Sequence, residues 1–248
     1  MARFFRRVKA VAQTRLAALK RHAALNSVPV GRVDFGDLRR TEPISRVFGF
    51  DRGEPVDRYY IEGFLAEHAS AIRGRVLEIG DSTYTKRFGG TNVTYSDVLH
   101  VTGDSLEATI VADLTHAPHI ATDTFDCIIL TQTLQFTYSM ESAVSELFRI
   151  LQPGGIVLCT LPGISQISRY DMDRWGDYWR VTSRSARELF ETTFPAQQLE
   201  VHTYGNVLAA ITLMHGLAQT ELTTAELDVR DDDYQIIVAI EATKPVGA

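Results

Sequence analysis

Three acidic residues stand where apolar runs end, and their order can hold a nucleoside-bearing cofactor. The run GRVLEIG closes on Glu78, Gly80 and Asp81. An acidic side chain followed by a glycine and a helix start suits a ligand carrying both an amine and a carboxylate. The glycine lets backbone approach, and a helix start offers N–H donors. Asp97 ends the run NVTYSD, where a carboxylate can accept both hydroxyls of a ribose. Asp113 and Leu114 end ATIVADL, where the acid can accept an adenine amino group and the leucine can pack its ring. A single one of these residues would read equally well as a turn or cap residue. The ordered series is harder to explain that way.

These residues need a scaffold that lines up strand ends. Seven apolar strand patterns supply it: GRVLEIG, NVTYSDV, ATIVAD, DTFDCIILTQ, GIVLCTLPG, QLEVHTYG and YQIIVAIEATKP. Helical periodicity lies between them, as in MESAVSELFRIL and in SRSARELFETTF, which Thr182 or Ser183 can cap. Strands alternating with helices predict an α/β fold: a mostly parallel sheet of seven strands with helices on both faces. Ligands in such a sheet bind beyond the carboxyl ends of the strands.

The 248 residues divide on this reading into an N-terminal helical extension with a lid (1–56) and one α/β domain (57–248). Residues 1–22 hold seven basic side chains and no acidic one, set among apolar residues at helical spacing. That helix packs on its own domain, on a second subunit of a homodimer, or on anionic lipid as a peripheral contact. The remaining chain carries 18 basic and 31 acidic groups, which argues against a nucleic-acid partner. No run reaches the ~18 apolar residues of a membrane span. Cys127 and Cys159 sit inside apolar runs and read as reduced core residues, which suits the cytoplasm. The apolar segment 207–218 fits either the core or a dimer interface.

Phe125-Asp126 before the fourth strand and Leu151-Gln152-Pro153-Gly154-Gly155 before the fifth resemble the class I S-adenosylmethionine-dependent methyltransferases. The likeness spans about residues 74–205, with the motifs in the family's order. It implies a Rossmann-like sheet and S-adenosylmethionine as cofactor, with S-adenosylhomocysteine as product. Glu78 and Gly80 would then lie near the methionine part, Asp97 at the ribose, and Asp113 and Leu114 at the adenine. Thr131 and Gln132 would border the methionine portion. The chain departs from the pattern in having one glycine, Gly80, where the family usually has two or three, and the helix after it is short.

The acceptor side falls on PGISQISRYDMDRWGDYWRVTS, after the fifth strand. Gln166, Arg169, Tyr170, Arg174, Trp175 and Tyr178 are the expected substrate-binding residues. Aromatic faces beside hydrogen-bonding groups suit a carbohydrate. This segment, with FGFDRGEPVDRYYIE upstream, is similar to actinobacterial sugar O-methyltransferases, among them the 1-O-methyltransferases of mycobacterial methylmannose polysaccharide synthesis. That likeness implies methylation of a sugar or oligosaccharide hydroxyl. A lipid-linked or other small natural product is the alternative acceptor. A non-catalytic cofactor-binding subunit is a third reading.

A sugar hydroxyl is a weak nucleophile, so a base is expected. The family often places a histidine just after the fourth strand. Here the residues are Thr133-Leu134-Gln135-Phe136, so Asp171 or Asp173 is expected to serve, with His202 and His215 as lesser candidates. Phe50 to Tyr60 would close as a lid over the cofactor, with Arg58 and Tyr59 facing it. The sequence leaves Mg²⁺ open: His100, His116 and His119 lie near strand tips without a familiar zinc spacing.

Overall fold

The structure is a computed structural model that describes residues 28–247. The helix read over residues 1–25 lies outside them. The chain separates into two compact units, 1–41 and 42–248. The described part of the first holds a short 3-10 turn, Gly36–Leu38, with Arg39 over the Phe35 ring.

In the second unit, helix α1 (Val56–Glu67) precedes strand β1 (Gly74–Ile79). Then follow β2 (Val93–His100), β3 (Ile110–Val111) and β4 (Phe125–Thr131). Helix α2 (Met140–Ile150) leads into β5 (Leu151–Pro162). The short helix α3 (Arg169–Met172) and helix α4 (Ser183–Glu191) lead to β6 (Leu199–Tyr204). Helices α5 (Val207–Met214) and α6 (Thr224–Leu227) precede β7 (Ile237–Thr243).

All seven strands form one sheet in the order β3-β2-β1-β4-β5-β7-β6. The first five are parallel, and β7 runs antiparallel to both β5 and β6. The predicted class is therefore the observed one. Alternate residues of each central strand enter opposite cores, as the two-residue period demands. Leu77, Ile128, Val157 and Ile240 pack with α2 and α4 on one face. Val76, Ile129, Leu158 and Ala239 pack with α1 and α5 on the other. Both cysteines are free and buried, one in each core.

Two local expectations hold. Thr182 caps α4, accepting from the Ser185 backbone N–H, while the Ser185 hydroxyl accepts in return from Thr182 N–H. The helix after β1 is short indeed, a single π-helical turn at Thr85–Gly89. The 207–218 segment is only partly in the core. Ala209, Ala210 and Leu213 are buried, while Val207, Leu208, Ile211 and Met214 form a half-exposed apolar face.

The chain runs outward from β1 through β2 to β3, then crosses back to β4 on the other side of β1. Strand order reverses there, so a crevice opens beyond the carboxyl ends of β1 and β4. Among the described residues no helix is long and apolar enough to cross a membrane.

Candidate functional site

Two cavities meet over that crevice. The first, of about 500 Å³, is lined by Ile79 and Gly80 after β1, Leu99 and His100 at the end of β2, and Asp113 and Leu114 after β3. The second, of about 470 Å³, is lined by Phe48, Phe50, Asp57, Arg58, Gln135, Gln166, Arg169 and Tyr170. Gln132, Phe136 and Asp171 belong to both walls.

The first cavity has features that suit a nucleoside-bearing cofactor. Gly80 has φ +98°, a conformation costly for any residue with a β-carbon. A β-carbon built there would meet no atom within 4 Å, so the backbone itself borders open space. Leu114 and Ala112 offer apolar surface, and Asp113 is fixed by the N–H and hydroxyl of Thr115, at 2.8 and 2.7 Å. Gln132 has φ +47°, rare for a residue other than glycine, and its N–H donates to the Thr160 carbonyl at 2.9 Å. Such strain gathers at functional positions.

Glu78 works from behind this wall. Its carboxylate accepts the N–H groups of Tyr84 (3.1 Å) and Thr85 (2.7 Å), so it shapes the loop after Gly80. Burial raises its pKa, and those N–H donors partly offset the effect. Asp81 accepts from Thr83 N–H and lines neither cavity. Thr131 stands behind Gln132, its carbonyl accepting from the Thr133 hydroxyl.

Asp97 is not at a strand tip. The strand continues to His100, and Asp97 pairs in register with Leu77 inside the sheet. Its carboxylate accepts from Arg75 Nε at 2.8 Å and from the Thr109 hydroxyl at 3.0 Å. A carboxylate is tolerated inside a sheet when neighbours supply its donors. Leu99 and His100 occupy the tip where a ribose-binding acid was expected. Asp97→Ala should therefore cost about 1–3 kcal/mol of stability with cofactor affinity almost unchanged. Chemical denaturation and calorimetric titration of S-adenosylmethionine measure the two; a large loss of affinity at full stability would restore the ribose role.

Tyr59 is also displaced. Its hydroxyl donates to Asp228 at 2.6 Å, and it lines a separate cavity with Arg87 and Arg230. Its neighbour Arg58 points the other way, into the second cavity, and donates to the Tyr84 hydroxyl at 2.8 Å. The expected lid thus forms a wall of the second cavity. It is anchored by Ile44 and Ser45 N–H to the His215 carbonyl, and by Gln219 N–H to the Glu54 carbonyl.

The acceptor loop divides between the cavities. Asp171, in α3, lies where they meet; one oxygen accepts from the Ser168 hydroxyl at 2.5 Å and the other from Trp175 Nε1 at 3.0 Å. Gln166, Arg169 and Tyr170 reach the second cavity. Trp175 and Tyr178, expected at the acceptor, line the first. Arg174 lies over the Tyr170 ring outside both cavities. Asp173 is a surface residue paired with Arg169 at 2.9 Å, and lines neither cavity. Trp179 donates to the Thr137 carbonyl and packs on Tyr138, a structural position. His202 and His215 line neither cavity.

Sequence reasoning missed Phe48, Asp57, Gln135, Ser168, Asp177 and Arg180. The last pair braces the loop: Arg180 holds both oxygens of Asp177 at 2.6 and 2.8 Å. Burial works against the Asp177 charge, but Arg180 and the Ser168 N–H hold its pKa below the ordinary value. Among the described residues no group of three or more His, Cys, Asp or Glu is placed to hold a metal ion.

Comparison with known proteins agrees with this geometry. Residues 68–159 match the methyltransferase domain family. A SAM-dependent methyltransferase from Archaeoglobus fulgidus is 11% identical, with a TM-score of 0.51 over 75% of this chain and 94% of its own. The cyclase SpnF is 18% identical, with a TM-score of 0.50 over 76% of this chain and 82% of its own. At that distance the likeness speaks for the fold, and a fold alone does not choose a reaction. No curated protein matches the chain, so the narrower sugar O-methyltransferase resemblance rests on its acceptor-loop motifs. The matched domain and the strand order support a methyltransferase enzyme with S-adenosylmethionine as its cofactor.

Proposed function

We propose that the enzyme methylates a hydroxyl of a sugar or oligosaccharide in glycan synthesis. The observation that carries this reading is the second cavity, which adjoins the cofactor cavity at Gln132, Phe136 and Asp171. Phe48, Phe50 and Tyr170 line it together with Gln135, Gln166 and Arg58. Sugars need that mixture, because their C–H faces pack on rings while their hydroxyls require partners.

S-adenosylmethionine supplies a methyl carbon already activated by its sulfonium. The chain's own task is then to place the acceptor oxygen and take its proton. Asp171 is the proposed base; in support, it borders both cavities. Ser168 and Trp175 orient its carboxylate, and each oxygen keeps a further lone pair for the acceptor.

Release of S-adenosylhomocysteine is the test, with a panel of methylated and unmethylated manno-oligosaccharides, with and without Mg²⁺. Turnover on a sugar, with the methyl located on oxygen by NMR, is expected. Turnover confined to a lipid-linked or aglycone acceptor would overturn the sugar assignment.

A further inference from the structure

The acceptor cavity contains a carboxylate to which the mechanism above gives no task. Asp57, the second residue of α1, lines it beside Arg58. Its Oδ1 is buried and has no hydrogen-bond partner. Most buried polar atoms are paired, and an unpaired acceptor is costly. The other two carboxylates of this wall, Asp171 and Asp177, have partners on both oxygens. Burial raises the Asp57 pKa; the Arg58 charge and the backbone N–H groups of Arg58 and Asp57 partly offset it, and Glu54 adds to it.

We infer that Asp57 is an acceptor-binding residue: it accepts a hydrogen bond from a second hydroxyl of the molecule whose first hydroxyl meets Asp171. The carboxylate torsion is soft, so a small rotation offers either oxygen to the cavity. Two attachment points on one cavity wall fix which hydroxyl is presented for methylation. The acceptor class is therefore a polyhydroxylated molecule rather than a simple alcohol or phenol. Arg58, whose known partner is the Tyr84 hydroxyl, is placed to donate to an oxygen of the same ligand. The identification of the donor as a hydroxyl rests on the sugar reading; the unpaired state of Asp57 does not.

A purely structural Asp57 would act as a helix N-terminal charge that stabilises α1. The two roles have opposite signatures in Asp57→Asn. As an acceptor-binding residue, its replacement should raise KM for a mannoside or manno-oligosaccharide about fivefold, the difference between a hydrogen bond to a carboxylate and one to a neutral amide oxygen. Methylation should also spread over more than one hydroxyl, and Kd for S-adenosylmethionine should stay within about twofold. The Tm of the free enzyme should rise by about 3 °C, because a buried charge with one unpaired oxygen has been removed. An unchanged KM with a single product, or a lower Tm, would overturn the assignment. If the wild-type enzyme turned over no mannoside, the sugar reading would fall. Asp57 would then be decided by the Tm alone, a rise supporting the unpaired carboxylate and a fall refuting it.

Discussion

Asp171→Asn should lower kcat by about 10²- to 10⁴-fold, the usual worth of a positioned general base, while leaving Kd for S-adenosylmethionine almost unchanged. The variant should fold. Its remaining oxygen can keep the bond from Trp175 Nε1, and the Ser168 hydroxyl can turn to accept from the new amide. Methyl transfer needs the acceptor proton to leave as the carbon–oxygen bond forms, and the amide cannot take it. Asp171 is favoured over Asp173 by placement alone: one borders both cavities and the other pairs with Arg169 on the surface. Asp173→Asn should accordingly keep wild-type kcat. Single-turnover rates on a reactive sugar would separate the two variants. Equal and full rates in both would remove the base assignment from this loop.

Gly80→Leu should weaken S-adenosylmethionine binding by about 100-fold or more. Two effects act together. The residue holds φ +98°, so any side chain strains the turn after β1, by about 1 kcal/mol or more. The side chain would also grow into open space bordering the cofactor cavity, where a β-carbon meets no protein atom. Gly80→Ala carries the strain with little bulk and should lose much less affinity. Calorimetric titration of both variants gives the comparison. Equal losses would assign the whole effect to backbone strain, and no loss in either would place the cofactor elsewhere.

The central strands were legible because both of their faces are buried. GRVLEIG, DCIILT and GIVLCTL must be continuously apolar when helices cover the sheet on each side. The Thr182 cap was legible for an equally local reason, whereas the helix before the fifth strand ends at Ile150 and Pro153, expected to stop it, lies within β5. Asp97 was misplaced because a carboxylate after polar residues looks like a strand end. Its donor, Arg75, lies 22 residues away on the adjacent strand, and spacing cannot reveal that pairing. Tyr59 and Arg58 were assigned to one wall, yet successive helical residues point about 100° apart. The phase of α1 against the site depends on the anchoring of residues 44–54 to 215–219, a contact distant in sequence. Trp175 and Tyr178 were in the right loop but the wrong cavity. The α3 turn and the Asp177–Arg180 pair fold the loop back across the end of β4, where Tyr178 N–H donates to the Gln135 carbonyl.

The proposed roles require the crevice to divide into a cofactor side and an acceptor side that meet at Asp171. A crystal structure with S-adenosylhomocysteine tests it most directly. The product is expected in the cavity of about 500 Å³, with its adenine against Leu114 and Asp113 and its sulfur toward Gln132 and Asp171. The cavity of Phe48, Asp57 and Arg58 should remain open to an acceptor. S-adenosylhomocysteine seated instead among Phe48, Asp57 and Arg58 would contradict the division, and with it the roles given to Asp171 and Asp57.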